Sequence, residues 1–156
     1  MFYGRYDHTL DSKKRLTLPA RFREKHPGSQ GGQVWFITRG YDDCIFMFTP
    51  PQYEEFVDRM EEDEISMESM DFHREFFGST SEVTTDSQGR VLLPDHLLDL
   101  AGVSKGVVVL GVRSRIEIWD LGRHGDHSKR FEADDQYRQQ FRKIYTKRTK
   151  RGSDET

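Results

Sequence analysis

Apolar residues in this chain come in short bursts with two different spacings. Near the start, Leu16-Thr17-Leu18 alternates apolar and polar, which reads as a strand. Pro19 follows, with Ala20 and Phe22 behind it, and proline is favoured at the first helical position because its missing N–H costs nothing there. The pattern predicts a short helix ending near Gly28. VWFI from Val34 and CIFMF from Cys44 then flank the polar RGYDD, as in a β-hairpin. After Pro50 and Pro51, Tyr53, Phe56, Val57 and Met60 fall at i, i+3, i+4 and i+7, one stripe of a helix. EEDEIS interrupts the stripe, and Met67, Met70, Phe72, Phe76 and Phe77 predict a second helix ending near Gly78. Beyond Trp119, LGRHGDHS is polar and contains glycine, and reads as a loop. Tyr137, Phe141, Ile144 and Tyr145 return to helical spacing, and residues from about Thr146 read as a disordered basic end.

The pattern occurs twice. At a shift of 75 positions, Phe2 falls on Phe77, Thr9 on Thr84, Asp11 on Asp86, Ser12 on Ser87, Arg15 on Arg90, Leu18 on Leu93 and Pro19 on Pro94. VWFI from Val34 matches VVVL from Val107 at a slightly shorter offset, and CIFMF matches RIEIW from Arg115. Leu97, Leu98 and Ala101 repeat the short helix, and Gly102 stands at its end. Each copy therefore predicts strand, polar turn, strand, short helix and hairpin. One copy is too small to bury a core alone. Two copies that interleave their strands close a small barrel without open edges.

Composition sharpens this picture. The 156 residues are 34% hydrophobic, 33% charged and 12% aromatic, so a lean core relies on large side chains. The net charge of -3 hides an uneven distribution. Met1 to Gly28 carries seven basic residues against three acidic ones. The stretch from Asp42 to Glu75 carries twelve acidic residues against Arg59 and Arg74, and the end from Arg138 is basic again. Such a chain can present a basic face while remaining slightly acidic as a whole. No membrane span or secretory signal is predicted, and the cytoplasm is the expected compartment. The single cysteine, Cys44, lies in an apolar run and reads as a buried, inert thiol.

The duplicated Asp-x-x-x-Arg turn, each copy followed by a short apolar strand and Leu-Pro, is a specific combination. With the opening MFYG, LDSKKRLTLPARFR, TDSQGRVLLPDHL and the closing IEIWD, the sequence resembles the MraZ family over roughly its first four-fifths. The resemblance implies a mainly β fold with peripheral helices (α+β), a double-psi or swapped-hairpin AbrB-like barrel made of two tandem half-domains. On that template, residues 1–51 form the first half-domain, 52–78 linking helices, 79–122 the second half-domain, and 123–156 a C-terminal helix and basic tail. It further implies a nucleoid-associated transcriptional regulator of the division and cell-wall gene cluster. Such a protein binds repeated guanine-rich elements of double-stranded promoter DNA as a ring-shaped homo-oligomer.

Elementary chemistry assigns roles within the motif. A guanidinium donates two parallel hydrogen bonds to guanine O6 and N7 in the major groove, which suits Arg15. Lys13 and Lys14 neutralise phosphates or touch bases, and Arg5 and Arg21 are further candidates for backbone contact. Asp11 and Asp86 either orient the turns or form structural ion pairs with the arginines. Arg90 has Ser87, Gln88 and Gly89 as neighbours, and a DNA contact and a structural role both remain open for it. The first copy has Lys14 where the second has Gly89. If the turns share a backbone with positive φ, the lysine pays a steric cost there.

Other chemistries find little footing. GGQ near Gly31 lacks phosphate-loop spacing, and His124 and His127 have no further ligands to complete a metal site. The run Glu61–Glu64 reads as a solvated face. No enzyme, metal or cofactor is expected. A protein-interaction module and an antitoxin-like AbrB protein are the competing readings.

Overall fold

A computed structural model describes residues 1–28, 31–60 and 66–154, the last seven as backbone only. The chain forms two compact units, Met1–Leu121 and Gly122–Thr156. In the first, β1 (Phe2–Thr9) leads through the first turn to β2 (Arg15–Thr17), α1 (Ala20–Glu24) and the hairpin β3 (Val34–Arg39) and β4 (Ile45–Phe48). After α2 (Pro50–Asp58) and α3 (Met67–Ser79), the order repeats as β5 (Ser81–Thr84), β6 (Arg90–Leu92), α4 (Asp95–Ala101), β7 (Gly106–Arg113) and β8 (Arg115–Asp120). The linking helices have clear start signals. Thr49 caps α2 in a reciprocal box with Gln52, and Ser66 accepts the Ser69 N–H at the start of α3.

The halves interleave. A six-stranded antiparallel sheet runs β1-β7-β8-β4-β3-β5, and β2 pairs with β6 in a separate ribbon. Each half thus lends its first strand to the other half's hairpin. The register reveals a pseudo-two-fold axis. In the ribbon Leu16 pairs with Val91, its own repeat counterpart, and in the sheet Phe46 pairs with its counterpart Glu117. One pairing corrects the expected alignment. Phe36 faces Phe48, and Val108 faces Trp119, the counterpart of Phe48. Val34 therefore corresponds to Gly106 rather than Val107.

Alternation across β3 and β4 explains the unbroken apolar run CIFMF. Trp35, Ile37, Ile45 and Met47 point into the main core with Leu16, Val91 and the hairpin β7–β8. Cys44, Phe46 and Phe48 point the other way, against Tyr53 of α2 and Phe76 of α3. A strand covered on both faces needs no polar side.

Several expectations change. The hydrogen-bonded sheet stays open, with β1 and β5 as its edges, so its ladder does not close a barrel. The ribbon that follows those two edge strands covers the core instead, through Leu16 and Val91. Helices hold more of the described residues than strands do, so the fold is α+β rather than mainly β. LGRHGDHS is no loop, because it belongs to α5 (Leu121–Ala133). An interior glycine costs a helix only about 1 kcal/mol, too little to end it when the surrounding residues tolerate helix. The basic end likewise continues as α6 (Gln136–Asp154), where arginine, lysine and glutamine are good helix formers. α1 stops at Lys25, three residues before Gly28, whereas Gly102 does cap α4 with φ +64°. Glu61–Glu64 lie outside the described residues.

Candidate nucleic-acid interface

Each Asp-x-x-x-Arg turn is organised by its aspartate. Asp11 Oδ1 accepts the backbone N–H groups of Lys13 (2.9 Å) and Arg15 (2.8 Å), and Oδ2 accepts Arg15 Nε at 2.6 Å. Asp86 does the same with Gln88 N (2.9 Å), Arg90 N (3.0 Å) and Arg90 Nε (2.8 Å). The Arg15 N–H, more than the guanidinium and the Lys13 N–H, holds the Asp11 carboxyl below the usual carboxylate range, and the Arg90 N–H leads in doing so for Asp86. The two readings of these aspartates are therefore one device. The carboxylate shapes the turn and grips the arginine through Nε, and the two Nη nitrogens make no hydrogen bond among the described residues.

The ribbon decides where the arginines point. Residues directly opposite in an antiparallel pair share a face, and alternate residues occupy opposite faces. Arg15 lies opposite Leu92, and Thr17 opposite Arg90. Leu16 and Val91, between them, are fully buried. Arg15, Thr17, Arg90 and Leu92 therefore form one outward face around the pseudo-dyad, with Thr17 and Leu92 exposed and the arginines half-buried. Arg90 stands in the same setting as Arg15, despite its less basic neighbours.

The remaining candidates divide. Lys13 is exposed beside Arg15, and its side chain has no hydrogen bond or ion pair among the described residues. Lys14 adopts φ +62° where Gly89 has φ +75°, so the two turns do share a backbone. Its Nζ donates to Asp95 Oδ1 at 2.9 Å, across the two halves. Both side chains are exposed, and such a pair is weak enough to exchange for a phosphate. Grooves of about 750 and 640 Å³ flank the ribbon. Lys13, Lys14 and Leu92 line the first, and Thr17 and Arg21 the second. Arg21 also stacks over Tyr3, 5.7 Å from the ring centroid. Arg5 lines neither groove and is engaged by Asp7 at 2.8 Å on β1.

Other chemistry stays thin at residue level. The described residues contain no cluster of three metal-ligating side chains, and no described helix is long and apolar enough to cross a membrane. Cys44 is buried, donates to the Tyr41 carbonyl at 2.9 Å, and has its thiol pKa pushed up by burial, away from the reactive thiolate.

Comparison with known proteins gives this geometry its context. The sequence profile of the family described as "MraZ protein, putative antitoxin-like" matches residues 1–74 and again 76–147. The chain belongs to the MraZ family. A relative from Carboxydothermus hydrogenoformans is 39% identical over 76% of this chain and 80% of its own length. One from Moorella thermoacetica is 38% identical over 88% and 92%, and one from Clavibacter michiganensis subsp. michiganensis is 41% identical over 78% and 82%. All three are named "Transcriptional regulator MraZ".

Within this MraZ-family chain, sequence reasoning missed Thr17 and Leu92 as members of the outward face. The signal was present: the shift of 75 that equates Leu16 with Val91 also equates Thr17 with Leu92. It missed Asp95 and Arg23 for a different reason. Asp95 acts across the interleaved halves, and Arg23 packs on Gly89, where an added Cβ would lie 2.7 Å from its guanidinium carbon. Neither contact leaves a trace in local spacing.

Proposed function

We propose that this chain is a DNA-binding transcriptional regulator that reads guanine edges with the outward face of the β2–β6 ribbon. The observation that carries this is the pair of arginines, each gripped at Nε by its own aspartate and aimed outward on one face. A guanidinium fixed in this way is pre-organised, so less entropy is lost when its outer nitrogens meet O6 and N7 of guanine. Lys13 and Lys14, with Arg21 at the other side of the ribbon, contribute phosphate contacts that set register. Arg5 contributes only after release from Asp7. Residues 1–51 and 79–122 act as interleaved AbrB-like half-domains of the swapped-hairpin type, joined by the helices of 52–78, with residues 123–156 as a C-terminal addition. The names of the relatives support the regulatory role, and the cytoplasm and nucleoid are its proposed location.

The targets in this reading are repeated guanine-rich promoter elements in the division and cell-wall gene cluster, engaged by a ring of copies. Self-association is supported by the apolar surface left on the first unit. A cleft of about 500 Å³ is lined by Tyr41, Phe46, Phe56, Phe72 and Phe76, and Tyr41 and Phe72 are largely exposed. A ring sets many weak readers side by side, so an array of repeats gains avidity without new contacts.

The test is a fluorescence-anisotropy titration against DNA from upstream of the protein's own gene and against a scrambled duplex, with sedimentation velocity on the same samples. The parent protein prefers the promoter duplex, binds a repeat array more tightly than one repeat, and sediments as a closed oligomer. Equal affinity for promoter and scrambled DNA overturns the reading. A monomer with intact promoter preference removes only the ring.

A further inference from the structure

Leu92 is the odd member of the outward face. It is 59% exposed, more open than the other exposed leucines, Leu100 and Leu121, and it belongs to neither core cluster. It stands directly opposite Arg15, and its repeat counterpart Thr17 stands directly opposite Arg90. The face therefore consists of two cross-strand pairs, Arg15 with Leu92 and Arg90 with Thr17. Side chains opposite one another across an antiparallel pair are about 5 Å apart at Cβ. That lies between one and two base steps, each about 3.4 Å along one strand. On a duplex contacted by Arg15, the neighbouring base pair is therefore the nearest one within reach of Leu92. The C5 methyl group of thymine is the one base substituent that projects apolar bulk into the major groove.

We infer that Leu92 is a specificity-determining residue that packs on a thymine methyl next to the guanine held by Arg15. The inference rests on the proposed DNA reading and deepens it. Thr17 also carries a methyl, but its hydroxyl accepts either kind of base edge, so the Arg90 side discriminates less. The two pairs differ, so the reader has a head and a tail although its backbone is nearly symmetric. It binds its element in one orientation.

The experiment uses the full chain and duplexes from upstream of its own gene in which thymines are replaced singly by deoxyuridine. That change removes one methyl and leaves every hydrogen-bonding group in place. One thymine, adjacent to a guanine whose contact is lost in Arg15→Ala, lowers parent affinity roughly fourfold when replaced, the size expected for one buried methyl-sized group. Leu92→Ala loses a similar factor on the unmodified duplex and no longer senses the replacement. Leu92 is exposed, so the melting temperature of Leu92→Ala stays at the parental value and the loss cannot be assigned to unfolding. The inference is overturned if the parent is indifferent to every replacement, or if Leu92→Ala still senses the same one. Either result leaves the DNA reading standing when the parent prefers promoter over scrambled DNA and Arg15→Ala does not. A parent without that preference overturns both.

Discussion

The two Asp-x-x-x-Arg turns share one backbone and differ in what they carry. Both hold their fourth residue at positive φ, glycine in the second turn and lysine in the first. Gly89 makes room for Arg23 from α1. At the matching place Lys14 reaches across the halves to Asp95, whose own counterpart is Ala20. A lysine in the left-handed region costs of order 1–2 kcal/mol, and an ion pair as exposed as this one returns less than that. The first turn therefore holds a cation in a position that stability alone would give to glycine. The comparison separates two properties often treated as one. The aspartate fixes the aim of the arginine in both turns, and the fourth residue sets the local charge independently.

The comparison breaks most visibly at the axis. Leu16→Ala, at the fully buried centre of the ribbon, costs about 2–5 kcal/mol in urea unfolding and lowers promoter affinity with it. An unchanged midpoint would mean that the ribbon is not anchored by this pair. Arg15→Ala and Arg90→Ala each lose roughly 1–3 kcal/mol of discrimination between promoter and scrambled DNA. If only Arg15→Ala does so, neighbouring charge and not aim governs readout. Exchanging the fourth residues comes next. Gly89→Lys destabilises by roughly 1–2 kcal/mol through positive φ and displacement of Arg23. Lys14→Gly relieves the positive φ, so the melting temperature rises slightly, and it flattens the salt dependence of binding by about one phosphate contact.

The smallest effect is in acid. Both aspartates have folded pKa values below their unfolded ones, so their stabilisation is complete above the unfolded value of about 3.9. It is lost as pH falls through the folded values. Melting temperature therefore drops below about pH 4, and less steeply in Asp11→Asn with Asp86→Asn. Identical acid profiles for parent and double variant would show that these carboxylates do not couple to folding.

Much of this was legible before the structure. The duplication, both hairpins, the starts of the linking helices and the turn motif follow from periodicity, proline placement and the shift of 75. The α5 segment misled because two glycines outweighed residues that tolerate helix. The closed barrel was inferred from the need to hide strand edges, but β1 and β5 are left unjoined and a short ribbon covers the core between them. At the site, arginine and aspartate could be named because they recur. Lys14–Asp95 and Arg23 on Gly89 could not, because each depends on the differences between the halves that a repeat search discards.

Interleaving also has a cost in time. Phe2, in β1, pairs opposite Arg113, and Arg15 cannot take its place until Leu92 exists. At translation speeds of about 5–20 residues per second, the opening strand waits on the order of 5–20 s for its partner. Through that interval Phe2, Leu16, Leu18 and Phe22 stay available to chaperones or to other nascent chains. A chain cut short before residue 92 leaves the ribosome with its first turn already synthesised and no surface on which to mount it.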